Sequence, residues 1–128
     1  MKEEKTALIT GGAKRLGRSI SKELARAGYN VIIHYNSSEK DALSLREELL
    51  EFGVDVSLLQ ADLLNDDETL SLFARCKKLI KKPVNLLINN ASIFEYDNIK
   101  TATLESWNRH QKSNLQVPFF LTQKFAQQ

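Results

Sequence analysis

Apolar positions along the chain alternate between two spacings. TALIT, residues 6–10, is a short apolar run closed by glycines and predicts a buried strand. Leu16, Ile20, Leu24 and Ala27 then recur at helical spacing, and Gly28 stands where a helix should end. NVIIHY, residues 30–35, predicts a second strand rich in β-branched side chains. Ser38 is placed to cap a helix with Glu39 and Asp41 in its first turn, running through Ala42, Leu45, Leu49 and Phe52 to Gly53. VDVSLLQ (54–60) predicts a third strand. A helix starting at Asp66 or Asp67 turns Leu70, Phe73 and Ile80 inward and is stopped by Pro83. VNLLIN (84–89) predicts a fourth strand, and Thr103 caps a last long helix that reaches the chain end.

Four strand–helix units in series imply parallel strands, right-handed crossovers and helices on both faces of the sheet. The expectation is a doubly wound α/β sheet, strand order 3-2-1-4, treated as one dinucleotide-binding unit over residues 1–128. Such a sheet normally continues past its switch point, so this one reads as incomplete.

Composition narrows the field. The 128 residues suffice for one domain with a core; 42% hydrophobic and 27% charged residues exclude a disordered chain. A net charge of +2 gives no argument for nucleic acid. The opening MKEEKTALIT has too short an apolar run for a signal or membrane span, and a single cysteine, Cys76, has no internal disulfide partner. A cytoplasmic protein without nucleic-acid or membrane partners is expected. No His, Cys and carboxylate cluster has metal-ligand spacing, so no metal is expected; His34 and His110 stand apart.

The chemistry centres on TALITGGAKRLGRS, which admits two readings. From Gly12 to Ser19 it runs G-x-x-x-x-G-R-S, one residue from a nucleoside-triphosphate loop. Arg18, however, occupies the place where a compact lysine must bridge phosphates. From Thr10 to Gly17 it is a glycine turn between a strand and a helix, where backbone and helix N-terminus face a pyrophosphate. Asn36, Ser37 and Ser38 end the second strand without a carboxylate. Amide and hydroxyl donors there, with Lys14 and Arg15 opposite, suit a 2′-phosphate, so NADP(H) is the expected cofactor.

Four motifs in order decide between the readings: Thr10-Gly11 through Gly17, ADL at 61–63, NNAS at 89–92, and Trp107 with SNLQVPFFL at 113–121. In these the chain resembles the short-chain dehydrogenase/reductase family along nearly its whole length, which implies a Rossmann-type fold and a nicotinamide cofactor. The resemblance assigns cofactor contacts to Thr10, Gly11, Lys14, Arg15, Leu16, Gly17, Tyr35, Asn36, Ser37, Ser38, Asp62, Leu63, Asn90, Ala91 and Ser92. It places Asn114 at the family's active-site asparagine. Arg15 departs from the small residue of the family pattern, and GGAKRLGRS with NNASIF is similar to the pteridine reductases of the family. That likeness implies substrate contacts by Arg15, Ser92 and Phe94, the last stacking on a flat pterin ring.

Pro118 lacks an N–H, so the carbonyl of Asn114 loses its helical partner and a kink is expected there. The family's proton donor is a Tyr-x-x-x-Lys on a later helix. YDNIK (96–100) has that spacing but lies upstream of Asn114, with Asp97 and Asn98 favouring a turn, and is rejected. The expected activity is hydride transfer from NADPH to a C=N or C=O bond of a small-molecule substrate, pterin-type first. A 3-oxoacyl-thioester reductase and a non-catalytic NADP-binding module are the alternatives. The genuine Tyr-x-x-x-Lys is expected downstream, so the 128 residues alone should be inactive, and the full-length protein is expected to form homo-oligomers.

Overall fold

A computed structural model describes residues 3–128; Met1 and Lys2 of the expected unit lie outside the described residues. Its elements are β1 (Thr6–Ile9), α1 (Arg15–Arg26), β2 (Asn30–Tyr35), α2 (Glu39–Leu50), β3 (Val56–Gln60), α3 (Asp66–Ile80), β4 (Leu86–Ile88), α4 (Leu104–Gln111), a π-helical turn (Lys112–Gln116) and α5 (Val117–Gln127). The four strands pair in parallel in the order β3-β2-β1-β4, as the strand–helix alternation predicts.

Successive strand side chains point to opposite faces, and the sheet carries a separate core on each. Ala7, Ile9, Val31 and Ile33 meet Ala25 of α1 and Ala42, Leu45 and Leu49 of α2. Leu8, Ile32 and Leu59 meet Leu72, Phe73 and Cys76 of α3 and Val117 and Leu121 of α5. Each fully buried leucine or isoleucine contributes about 2 kcal/mol of transfer free energy. Being apolar on both faces, the central strands have only this two-layered environment open to them.

Three details differ from the expectation. Leu16, Ala27, Phe52 and Leu70 fit the apolar stripes by spacing but are exposed. Leu16 lies at the mouth of a cleft, and Phe52 follows the end of α2, with the Arg26 guanidinium 5.6 Å over its ring. Ser38 precedes α2 but caps nothing through its side chain. α3 starts at Asp66 as expected, capped by Asn65, whose side chain accepts from the Glu68 N–H at 3.2 Å. β4 is only three residues long, because Val84 and Asn85 leave the ladder: Asn85 grips both the N–H and the carbonyl of Thr6.

Thr103 does cap α4, in a reciprocal box with Ser106. The break expected from Pro118 takes the form of the π turn just before it, where the Val117 N–H reaches back to the Lys112 carbonyl. Among the described residues no helix is long and apolar enough to cross a membrane.

Candidate functional site

In an open parallel sheet the ligand crevice lies past the carboxyl ends of the strands, where the winding direction switches. Here that point lies between β1 and β4, and the Thr10–Gly17 turn fills one side of it. Thr10 Oγ1 joins the two strand ends: it accepts from the N–H of Asn90 at 3.0 Å and of Ala91 at 2.9 Å, and donates to the Ile88 carbonyl at 3.3 Å. The Asn90 amide answers by donating to the carbonyls of Thr10 and Gly11, at 3.0 and 3.1 Å. The T-G and N-N-A motifs, eighty residues apart, are thus one interlocked unit.

Gly11 adopts φ +60 against the Cα of Ala91. A Cβ on Gly17 would overlap the Gly11 carbonyl oxygen and stand 2.6 Å from Asn90 Nδ2. Glycine at 17 therefore lets the start of α1 close onto the turn. Ser21 Oγ, fully buried, donates within reach of the Gly12 and Gly17 carbonyls, at 3.2 and 2.8 Å.

The turn borders an open cleft of about 630 Å³. Of the expected cofactor residues, Gly11, Lys14, Arg15, Leu16, Asn36, Asn90, Ala91 and Ser92 line it together. Arg15 holds φ +52, a left-handed conformation costing a non-glycine residue about 1 kcal/mol. The first helical bond, Arg18 N–H to the Lys14 carbonyl, leaves the amides of Arg15, Leu16 and Gly17 outside the ladder at the positive end of α1. An anion in the cleft meets those amides with Lys14 and Arg15 nearby, so the residues present fit a pyrophosphate.

Arg18 settles the competing reading of the loop. Its guanidinium turns toward α2, donating to the carbonyls of Ala13 and Asp41 and pairing with Glu48 at 3.1 Å. The residue in the P-loop lysine position thus joins α1 to α2 and does not serve phosphate. Lys14, at the cleft, lies 3.6 Å from Asp41 across exposed surface.

The remaining expected residues lie around the cleft or away from it. Tyr35, Ser37 and Ser38 follow from the end of β2, and Gln60 fixes Asn36 between them through its amide, 3.1 Å from Asn36 Oδ1. Asp62 folds back so that its carboxylate accepts from the Leu64 N–H, and the Leu63 side chain is buried in the α3–α5 core. Ser92 faces the cleft, whereas Phe94 is 86% exposed and outside the core. Asn114 clamps the chain just past Ser92: its Oδ1 accepts from the Ile93 N–H and its Nδ2 donates to the Ile93 carbonyl, both at 3.1 Å. Tyr96 and Lys100 lie in non-helical chain with Tyr96 86% exposed; the Asp97 between them accepts from Ser106 and Thr101 hydroxyls and anchors the start of α4.

One residue of the site escapes sequence reasoning. His34, set apart in the sequence and 3% exposed, lines the cleft and ties three segments together. Its Nδ1 accepts from the Gly11 N–H at 3.0 Å, its Nε2 lies 2.9 Å from the Ala61 carbonyl, and its own carbonyl accepts from the Gly12 N–H at 3.0 Å. The available signal was a lone polar side chain inside an apolar strand that ends at the glycine turn. Among the described residues no group of three or more His, Cys, Asp or Glu is arranged to hold a metal ion.

Comparison with known proteins agrees with this geometry. A family model described as short chain dehydrogenase matches residues 5–128. The 3-oxoacyl-(acyl-carrier-protein) reductase FabG of Staphylococcus aureus is 32% identical over 130 residues, covering 100% of this chain and 52% of that protein. Among solved structures, FolM alternative dihydrofolate reductase 1 of Brucella canis, complexed with NADP, superposes with TM-score 0.87 at 32% identity, over 94% of this chain and 48% of that one. A blue fluorescent protein from a metagenomic library, in complex with NADPH, gives TM-score 0.85 at 29% identity, over 93% of this chain and 49% of its own. The chain thus spans about half the length of the relatives it matches.

Proposed function

Because the chain belongs to the short-chain dehydrogenase family, we propose that its cleft binds NADP(H) and serves an oxidoreductase acting on a C=N or C=O bond, with a pterin-type substrate. The observation that carries the cofactor half is the Thr10–Gly17 turn locked onto Asn90 and Ala91, with the start of α1 opening into the cleft. Similar structures complexed with NADP and NADPH support it.

In this reading the amides of Arg15, Leu16 and Gly17 meet the diphosphate, and Lys14 with Asn36, Ser37 and Ser38 meets the 2′-phosphate. Tyr35, Asp62 and Leu63 border the adenine side. Asn90, Ala91 and Ser92 border the nicotinamide, which when bound supplies the hydride. Asn114 is a positioning residue here: gripping both polar groups of Ile93, it fixes the chain that carries Ser92.

Two features favour a pterin. Arg15 at the cleft brings a planar cation where the family pattern has a small residue, and the exposed Phe94 offers a flat apolar face. Similarity to a FolM alternative dihydrofolate reductase supports the same class. The second reading, a 3-oxoacyl-thioester reductase, is favoured by the 32% identity to FabG along the whole chain. Small-molecule substrate and further copies of the chain are the partners of either reading.

The test is NADPH oxidation by the full-length gene product with a dihydropterin and with an acetoacetyl thioester. Turnover of the dihydropterin is expected. Turnover of the thioester alone would replace the pterin with the second reading.

A further inference from the structure

His34 holds the glycine turn through two consecutive amides, one at its ring and one at its backbone carbonyl. The Gly11 N–H meets its ring Nδ1 and the Gly12 N–H meets its carbonyl. With Nδ1 accepting, the ring proton sits on Nε2 and is donated to the Ala61 carbonyl. One buried imidazole on β2, itself lining the cleft, therefore ties the ends of β1 and β3 together. Because both glycine amides turn inward to His34, the amides left for an anion are those farther along, in the first turn of α1.

We propose that His34, in its neutral Nε2–H form, is a positioning residue for the glycine turn and makes cofactor affinity proton-sensitive. The proposal rests on the cofactor reading above. A proton on Nδ1 would set N–H against the Gly11 N–H, two donors facing each other in a buried place. The turn then has to give up the bond, and Gly11 moves away from Asn90 and Ala91. Charged groups around the ring are Arg75 of α3, which acts on it directly, Lys14 and Arg15, which line the same cleft, and Asp62, next to Ala61 in the chain. Cys76, the inward titratable group of α3, is pushed up to about 12 by burial and stays a thiol throughout.

Burial lowers the pKa of His34 below the usual 6.5; the Ala61 contact opposes this and Arg75 adds to it. A ring that binds its proton more readily unfolded than folded stabilises the fold fully above about pH 6.5. That contribution is lost as the pH falls toward the depressed folded value.

The experiment compares wild type, H34Q and H34L in the full-length gene product. It measures NADPH affinity by fluorescence from about pH 8 to about pH 5, and hydrogen exchange of residues 10–17 without cofactor. Glutamine can accept from Gly11 and donate to Ala61 but does not titrate; leucine does neither. Over the pH range, wild type is expected to lose about tenfold more affinity than H34Q, whose remaining loss reports the 2′-phosphate itself. H34L is expected to bind about tenfold more weakly at every pH and to exchange its Gly11 amide rapidly.

Equal binding by H34L and wild type, or the same pH profile in wild type and H34Q, would overturn the proposal. If wild type binds no NADPH, the cofactor reading fails separately, and the Gly11 amide decides for the strut: protected in wild type and fast in H34L supports it, unchanged exchange refutes it.

Discussion

Two loops flank the cleft, and they are held in opposite ways. The turn from Thr10 to Gly17 is fixed mainly from within the sheet: Thr10, Asn90, His34 and Ser21 satisfy its amides and carbonyls, and Gly12, Ala13 and Gly17 are buried. The segment from Ser92 to Thr101 has no strand neighbour. It is held by side chains reaching over from α4 and the π turn: Asn114 on Ile93, His110 Nε2 on the Glu95 N–H at 3.0 Å, Arg109 on the Glu95 carboxylate, Ser106 on Asp97. Phe94, Tyr96 and Ile99 remain exposed, at 86%, 86% and 98%. The first loop is the more firmly held, and the second has the features of lower local stability; in the proposed function they meet the cofactor and the substrate respectively.

The largest effect that would break this contrast is at Gly17. Gly17→Val puts a side chain onto the Gly11 carbonyl, where backbone would have to move. A loss of about 3 kcal/mol or more in denaturant unfolding is expected, with no measurable NADPH binding. Thr10→Val comes next. Without the hydroxyl, the Asn90 and Ala91 amides lose their acceptor, and about 2 kcal/mol should disappear from the same unfolding curve.

Asn114→Ala touches only the second loop. About 1 kcal/mol is expected, with faster hydrogen exchange at residues 92–96 and unchanged exchange at 10–17. Faster exchange in both loops would show that they are not independent. Smallest is Arg15→Gly, which relieves the left-handed strain at the cost of chain entropy. A gain of about 0.5 kcal/mol in stability is expected, together with weaker turnover of any substrate that Arg15 contacts.

The same contrast separates what the sequence conveyed from what it did not. Strand order and both cores followed from apolar runs such as TALIT and NVIIHY, because a strand buried on both faces has few other places to go. The glycine turn was legible because Gly17 answers a steric demand that no other residue meets. The clamps were not legible, since Asn114, Arg109 and His110 act on residues 14 to 21 positions away through side-chain hydrogen bonds that no periodicity encodes. Ser38 failed as a cap although its residue type fits, while the start of α3 at Asp66 was read correctly, with Asn65 supplying the cap to the Glu68 N–H three positions on. Leu16 fitted the apolar stripe yet faces the cleft, because position and not hydrophobicity governs a residue beside a binding turn.

Outside both loops, α4, the π turn and α5 leave Leu115 and Phe119 exposed in a groove of about 710 Å³ that Asn108, Gln111, Lys112 and Gln116 also line. No residue of the glycine turn lines it, and so it gives no comparable case for binding a dinucleotide.

In the proposed function the Thr10–Gly17 turn receives the diphosphate of NADP(H). Titrating the folded, full-length gene product with NADPH, NADH and Mg-ATP while following the Leu16 and Gly17 backbone amides tests it directly. Saturable NADPH binding that shifts those amides, weaker NADH binding and none of Mg-ATP is the expected result. Absence of NADPH binding, or binding that leaves both amides unmoved, would contradict it.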